Sequence, residues 1–192
     1  MRRLVLSMLL AAACGSDNSK TTGSGTVTGT VAGKSFGAKD AAFVSQNLSG
    51  FAFSGTSTAV LLTDFVNVCS LETAKKTPPN GQNLFLALAA LDNTGTAHPP
   101  TATGDYLVLS SVSDSTTPNS LRSDVYYELD GPDCQKSNGY VGTSGKVTVT
   151  SISSTQIKGT FDLSLKSGDH LTGSFDSKSC PGMDFNVTPS CP

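Results

Sequence analysis

Beyond residue 25, apolar and polar residues alternate in short runs that glycine, proline, asparagine and aspartate interrupt. Alternation with a period of two over about four to eight residues is the pattern of a β-strand with one buried face. It predicts about ten short strands, which favours an all-β domain: a single antiparallel β-sandwich or an open β-barrel. The predicted strands cover residues 26–31, 41–46, 51–55, 58–68, 83–91, 105–112, 122–131, 145–153, 155–166 and 170–177.

Two segments depart from this alternation. NLFLALAAL, residues 83–91, is apolar on both faces, which is expected of a central strand that is covered on both sides. SLETAKK, residues 70–76, predicts one short helix, because Ser70 suits the N-cap position and Lys75 and Lys76 suit the last turn.

The last two strands predict a β-hairpin whose register follows from its apolar face. A two-residue turn would set Leu165 opposite a threonine and mix apolar with polar positions. A three-residue loop of residues 167–169 instead pairs Leu165 with Leu171 and Phe161 with Phe175. This register keeps one face apolar, and we therefore predict it.

Two glycines, Gly159 and Gly173, fall on the same apolar face of this hairpin. A glycine inside a strand often marks a place where another group approaches the backbone closely. We expect an aromatic ring to lie over the bare backbone there.

Residues 1–13, MRRLVLSMLLAAA, have the pattern of an export signal peptide, with two arginines, an apolar run and small residues at the end. The apolar run is shorter than the stretch of about 20 residues that crosses a bilayer. Residues 14–25 contain no large apolar group and predict a flexible tether. The sequence thus divides into a signal peptide (1–13), a cysteine with its tether (14–25) and an all-β domain (26–192).

The triplet AAA ends directly at Cys14 and is followed by GSDNSKTTGSG. This arrangement resembles the lipobox of bacterial lipoproteins, although Ala11 stands where that family prefers leucine. The resemblance implies that the chain is cut before Cys14, that the thiol carries a diacylglyceryl group and that the new amine receives a fatty acid such as palmitate. Several acyl chains make a stable membrane anchor.

The resemblance also implies a location. Gly15 stands where an aspartate would favour retention at the inner membrane, so the implied location is the bacterial outer membrane, with its periplasmic and surface-facing sides left open. The small pieces GTVTGTV, GTFDL and TGSFDS resemble uncharacterised all-β lipoproteins of bacterial envelopes, a likeness that implies no activity.

Charge narrows the range of partners. The net charge is −2, and only 15% of the residues are charged, compared with about a quarter in a typical soluble domain. Lys75 and Lys76 form the one basic cluster beyond the signal peptide. Because binding to phosphates needs a basic surface, nucleic acid is not expected as a partner.

Besides the proposed anchor, the chain has four cysteines: Cys69, Cys134, Cys180 and Cys191. An even number in an exported chain predicts two disulfides, and no pair has the CxxC spacing of a zinc or redox site. Closeness in sequence favours Cys69–Cys134 together with Cys180–Cys191, since a proline and a glycine after Cys180 let the chain turn back. The pairing Cys134–Cys180 is the rival.

Few residues suit catalysis or metal binding. His98 and His170 are the only imidazole bases, no GxSxG motif accompanies them, and we expect both to be exposed loop residues. Asp130 and Asp133, in LDGPDC, could contribute to a calcium site, but without a DxDxDG run we expect them to form turns. We predict no catalytic residue, no metal and no cofactor.

Other candidates lie on the faces of strands. Asp162, Asp176 and Glu128 are carboxylates of the kind that a glycosidase pair needs, and we expect them to be solvated instead. Tyr126, on the polar face of its strand, is the candidate binding residue, because a sugar or a partner could stack on its ring. The alternative for Tyr126 is a cross-strand pair that covers the sheet.

These features favour a lipid-anchored cell-envelope protein without enzymatic activity. It would bind another protein or a glycan through a sheet face or through its loops at residues 97–104 and 113–120. Two alternatives are a carrier that holds an apolar ligand inside a β-barrel and a hydrolase of unrecognised type.

Overall fold

The large sheet of this chain has ten strands, and a two-stranded ribbon accompanies it. The structure is a computed structural model that describes residues 23–48, 51–110 and 112–192. The predicted all-β fold with one short helix is confirmed in these residues. The elements are β1 (Ser24–Thr28), β2 (Thr30–Val31), β3 (Lys34–Ser35), β4 (Asp40–Asn47), β5 (Thr56–Thr63), α1 (Val68–Thr73), β6 (Gln82–Leu91), β7 (Ala97–His98), β8 (Gly104–Val108), a 3-10 helix (Val112–Thr116), β9 (Ser120–Asp130), β10 (Lys136–Ile152), β11 (Gln156–Leu165) and β12 (His170–Ser179).

The predicted signal peptide, Cys14 and the tether as far as residue 22 lie outside the described residues. Within the described part, no helix is both long and apolar enough to cross a membrane.

The large sheet closes into a barrel. Its strand order is β1-β12-β11-β10-β8-β9-β6-β5-β4, with β7 attached to β6. A short parallel pairing closes it, in which Lys178 and Ser179 of β12 pair with Ala42 and Phe43 of β4. β1 pairs with the earlier part of the same edge of β12, so the two strands share that edge.

The longest strand, β10, is shared in a similar way. Its first part pairs with β9 from Lys136 to Val141, and its later part pairs with β8 from Lys146 to Val149. Val141 pairs with Tyr126 at the end of the first part, and it is 43% exposed on the outer surface. The candidate residue Tyr126 therefore lies next to the place where β10 changes partners.

Side chains fill the interior of the barrel, because every second residue of each strand points inward. Tyr106 and Tyr127 take part, and their hydroxyls donate to the Ala102 carbonyl (2.8 Å) and to the Gln82 side-chain oxygen (2.7 Å). Burial raises the pKa of both phenols to about 12. The buried core residues are Val31, Phe36, Ala41, Phe43, Val60, Leu62, Leu84, Leu86, Leu88, Tyr106, Val108, Val125, Tyr127, Val147, Val149, Ile157, Phe161, Leu163, Leu165, Leu171 and Phe175.

Strands β5 and β6 are covered on both sides. Leu62 and Leu86 point into the barrel core, whereas Leu61 and Ala87 point outward and are still 0% exposed. This confirms the predicted double burial of residues 83–91. The outer cover comes from loops, from α1 and from the C-terminal segment, through Phe51, Phe53, Val68, Leu109, Met183 and Phe185.

The final hairpin has the predicted apolar face but a different register. Leu163 pairs with Leu171, and Phe161 pairs with Gly173, so the strands are shifted by two residues from the prediction. The turn has three residues, as predicted, but lies one position earlier, at residues 166–168, since the Leu165 amide donates to the Asp169 carbonyl at 2.9 Å. A shift of two residues preserves the inward face, which explains why the apolar pattern was right although the position of the turn was wrong.

The helix begins earlier than predicted. It starts after Asn67, and Ser70 does not cap it. The Val68 amide donates instead to a carboxylate oxygen of Asp40, at 3.1 Å, so a residue of β4 provides the cap. A contact between elements distant in sequence thus replaces the local cap.

The predicted strand at residues 51–55 is wrong. This segment is a loop with a single bridge between Gly55 and Ala97. Its apolar residues are there because Phe53 packs over the outer face of the barrel and is 7% exposed.

All four cysteines of the domain form disulfides, as predicted, but the predicted pairing is wrong, and so is its rival. The bonds are Cys69–Cys180 and Cys134–Cys191, with S–S distances of 2.05 and 2.07 Å. The pairing of β12 with β4 brings Cys180 to α1, where its amide donates to the Phe43 carbonyl at 2.8 Å. The partners are 111 and 57 residues apart in sequence, so closeness in sequence was a poor guide.

Candidate functional site

A cleft of about 490 Å³ lies on the outer surface of the barrel, over strands β6, β9 and β10. Phe85 of β6 and Val141 of β10 both pair with Tyr126 of β9, and these three side chains form part of its floor. Helix α1, the loop at Phe51 and residues 185–189 surround the floor. The polar residues of the β6, β9 and α1 regions that line the cleft are Glu72, Thr77, Asn83, Asp124, Glu128 and Asp130.

Four aromatic rings surround one side of this cleft. The Phe85 ring centroid lies 6.4 Å from that of Tyr126, 6.5 Å from that of Phe51 and 5.3 Å from that of Phe185. The Phe51 and Phe185 contacts are edge-to-face, a favoured geometry for aromatic pairs. The rings hold one another in place, so Tyr126 presents an ordered surface to the cleft.

The Tyr126 ring also has a cation above it. The Lys136 ammonium lies 4.5 Å from the ring centroid, within the range of a cation–π interaction. A hydrogen bond with the Tyr126 hydroxyl raises the pKa of Lys136. A side chain at Gly139 would overlap that hydroxyl, so the glycine leaves space for the ring. The predicted binding residue thus lines a cleft, and it also makes the cross-strand contact considered as its alternative.

Asp130 lies at the deep end of the cleft and is 2% exposed. One of its carboxylate oxygens accepts hydrogen bonds from the Thr77 hydroxyl (2.8 Å) and from the Asn83 amide (3.1 Å). Burial raises the pKa of Asp130 in spite of these bonds. Asp130 was predicted to form a turn, and its actual place is the buried end of β9.

Two glutamates of the cleft, Glu72 and Glu128, interact electrostatically with Asp130. Burial and, to a smaller extent, the charge of Asp130 together raise the pKa of Glu128 from 4.5 to about 7. The same two causes, in the same order, raise the pKa of Glu72 to about 7. Glu128 is half-buried, whereas the sequence predicted a solvated residue.

Asp124 extends the carboxyl row along β9 toward the Phe51 loop. Burial raises its pKa, and the Ala52 amide donates to it at 2.8 Å. Asp124, Tyr126, Glu128 and Asp130 are alternate residues of one strand, which is why they share the outer surface.

Asn83 of β6 lies beside the carboxyl row, paired with Glu128 of β9, and is 4% exposed. Its amide nitrogen donates to Asp130, whereas its amide oxygen is buried and has no hydrogen-bond partner among the described residues. A buried acceptor without a donor costs free energy, so this part of the cleft lacks a donor.

The C-terminal segment forms the opposite wall of the cleft. The Cys134–Cys191 disulfide ties it to the turn after β9, and the Gln135 side chain donates to the Pro189 carbonyl at 3.3 Å. The Lys76 ammonium donates to the Cys191 carbonyl at 2.7 Å. The end of the wall at Cys191 is therefore attached both to the turn after β9 and to the segment after α1.

The two histidines lie outside this cleft. His98 contacts Asp92 at 3.0 Å, and hydrogen bonds from His98 and Thr94 hold the pKa of Asp92 well below its usual value. His170 contacts Asp162 at 2.7 Å. Both histidines are exposed, as predicted, although each lies in a short strand or at a strand end.

The remaining polar candidates are also separate from the cleft. Asp176 forms ion pairs with Lys158 (2.9 Å) and Lys178 (3.3 Å). Asp133 accepts a hydrogen bond from the Gln135 amide at 3.2 Å, in a turn, as predicted. Within the residues that the structure describes, no group of three His, Cys, Asp or Glu side chains is placed to hold a metal ion.

The sequence singled out Tyr126, Glu128 and Asp130 as separate candidates, and the structure brings all three into one cleft. The alternation within residues 122–131 predicted a polar face on this strand, and that face is the one that lines the cleft. Glu72, Asn83 and the C-terminal segment gave no such signal, because only the folded chain brings them to β9. Comparison with protein-family models, with curated proteins and with solved structures gives no match.

Proposed function

We propose that this chain is a lipid-anchored protein of the bacterial cell envelope that binds a protein or glycan ligand in the outer-surface cleft, without catalysing a reaction. The anchor would be Cys14, at the end of a signal peptide. Two disulfides suit a compartment outside the cytoplasm.

The observation that carries the binding proposal is the group of carboxyls beside ordered aromatic rings. Desolvated carboxyls such as Glu72 and Glu128 reduce the stability of a fold when they ionise. Clusters with raised pKa values in a cleft are typical of functional sites. An aromatic face beside carboxyl and amide groups also suits a sugar, whose ring stacks while its hydroxyls form hydrogen bonds.

The carrier alternative receives less support. It needs space inside the barrel, and that interior is filled by residues such as Tyr106, Tyr127 and Leu163, which are at most 1% exposed. A hydrolase that uses histidine also receives less support, since His98 and His170 each pair with an aspartate outside the cleft.

The anchor can be tested by feeding cells an alkyne-tagged fatty acid and comparing the natural chain with the Cys14→Ser variant. We expect label on the natural chain alone, in the outer-membrane fraction. Label on both chains or on neither would contradict the anchor. Protease treatment of intact cells then tells a surface-facing domain, which is cut, from a periplasmic one, which is cut only after the outer membrane is opened.

Binding in the cleft can be tested by NMR. Amide signals of the full chain carrying Cys14→Ser would be followed while soluble envelope glycan fragments or unstructured peptides are added. We expect shifts at residues 126–130 and 185–189 that Tyr126→Ala abolishes and that Asp162→Asn, far from the cleft, leaves unchanged. Shifts confined to other surfaces would contradict the proposed site.

A further inference from the structure

We infer, building on the proposed function, that the ligand of the cleft carries an organic cation. Its ammonium group would lie among Glu72, Glu128 and Asp130, and its carbon chain would lie along the rings of Tyr126 and Phe85. The geometry of the cleft supports this in three ways.

The first support is an excess of acceptors over donors. Four carboxyls line the cleft, and Lys136 is the one cationic side chain of its lining. The Thr77 hydroxyl donates its one proton to Asp130, and the Asn83 amide also donates to Asp130. An anionic ligand would be repelled, whereas an ammonium group supplies both positive charge and three donors.

The second support is the amide oxygen of Asn83. It is a buried acceptor without a partner in the described part of the chain, and its own amide nitrogen is bonded to Asp130. The lack of donors therefore also affects the neutral side chain of Asn83, where repulsion between charges cannot be the cause. A ligand with several hydrogen-bond donors would supply the donors that the carboxyls lining the cleft lack.

The third support is Lys136 itself. Its ammonium lies 4.5 Å from the Tyr126 ring centroid, and its positive charge lowers the pKa of Glu128. The cleft therefore already holds one alkylammonium group, that of Lys136 at its edge. Lys136 is exposed, so a ligand ammonium would bind deeper, on the side of Glu72 and Asp130.

Binding of a cation should release protons. Burial and the charge of Asp130 hold the pKa of Glu72 and Glu128 at about 7, and a bound ammonium favours their ionised forms. The affinity should therefore rise between pH 6 and pH 8. The charged groups that act on these two carboxyls are Asp130 of β9, Lys136 of β10 and Lys75, which follows α1 and pairs with Asp184. Asp124 and Tyr126 of β9 line the same cleft, and Asp64, after β5, acts on Asp130.

The test is titration calorimetry of the full chain carrying Cys14→Ser with three probes of similar length: 1,5-diaminopentane, 1,5-pentanediol and glutarate. We expect heat of binding from the diamine alone. Buffers of different ionisation enthalpy should show proton release at pH 7. A Glu128→Gln change should weaken diamine binding about tenfold or more, since a charge-assisted hydrogen bond is lost.

Two further variants make the result specific to the cleft. Lys136→Gln removes a like charge and should tighten diamine binding severalfold. Asp162→Asn removes the same charge as a Glu128 change does, but on another surface, and should leave binding unchanged. If Glu128→Gln does not fold, as judged by circular dichroism, Glu72→Gln takes its place with the same expectation.

The outcomes separate this inference from the proposed function. If neutral glycan fragments shift the NMR signals of the cleft while the diamine gives no heat, the cation inference fails and the binding proposal stands. If neither the diamine, the glycans nor the peptides affect the cleft, both fail. Equal weakening by Asp162→Asn would mean that the diamine responds to net charge alone, and it would overturn the inference.

Discussion

Phe161 lies directly across from Gly173 in the final hairpin, and its ring covers the bare backbone of that glycine. A Cβ atom at Gly173 would lie 2.5 Å from the tip of the ring, and it would also overlap the Thr26 carbonyl of β1. Phe175 and Gly159 repeat the arrangement two pairs away in the ladder. Each ring fills the space that its partner glycine leaves open, so both pairs set the spacing of the barrel wall.

Gly173→Ala should therefore destabilise the fold by about 1–3 kcal/mol, because the added methyl overpacks the wall. The control is Gly37→Ala, where a Cβ would have no heavy atom within 4 Å, and its effect should stay within about 0.5 kcal/mol. Urea unfolding followed by circular dichroism measures both. Equal effects of the two changes would mean that neither the ring nor the Thr26 carbonyl excludes a side chain at Gly173.

The disulfide Cys134–Cys191 should hold the C-terminal wall of the cleft. Replacing both cysteines by alanine should lower stability by about 2–5 kcal/mol and speed hydrogen exchange at residues 185–190. The Cys69–Cys180 double variant is the control, since it should affect α1 and residues near Cys180 more than this wall. Peptide mapping without reduction should first recover the two linked pairs, and any other pairing would remove the basis of the prediction.

The pattern of the sequence was informative wherever a property depended on alternation within one strand. The inward face of residues 155–166, the double burial of residues 83–91 and the polar face around Tyr126 followed from it. A shift of two residues leaves such a pattern unchanged, so the hairpin register could not be read from the pattern alone.

Features that depend on contacts between distant segments could not be predicted from the sequence. The disulfide pairing depends on β12 reaching β4, and the raised pKa of Glu72 depends on Asp130, far away in the chain. Glu128 showed its type and its face in the sequence but not its burial, because α1 and the C-terminal segment enclose it only after folding.

Asp40 illustrates the same limit and provides a direct test. It is 2% exposed, and its two carboxylate oxygens accept hydrogen bonds from the Ala41 amide (2.8 Å) and the Val68 amide (3.1 Å). Asp40→Ala should cost about 1–3 kcal/mol, since it leaves buried donors unpaired. Ser70→Ala, at the position where the sequence predicted the cap, should be nearly neutral in the same thermal unfolding assay. A larger loss at Ser70 than at Asp40 would contradict the assigned cap.

The stability of the fold should depend on pH through Glu128. Folding raises its pKa from 4.5 to about 7, so the folded chain holds a proton that the unfolded chain releases, and stability falls as the pH rises from about 4.5 through 7. Glu128→Gln should therefore match the natural chain at pH 5 and exceed its stability by about 1–2 kcal/mol at pH 8. Asp162→Asn, on an exposed surface, should show no such gain in urea unfolding at the two pH values. A Glu128→Gln effect that is the same at pH 5 and pH 8 would mean that this carboxyl does not titrate near neutrality, and it would contradict the proton release expected when a cation binds.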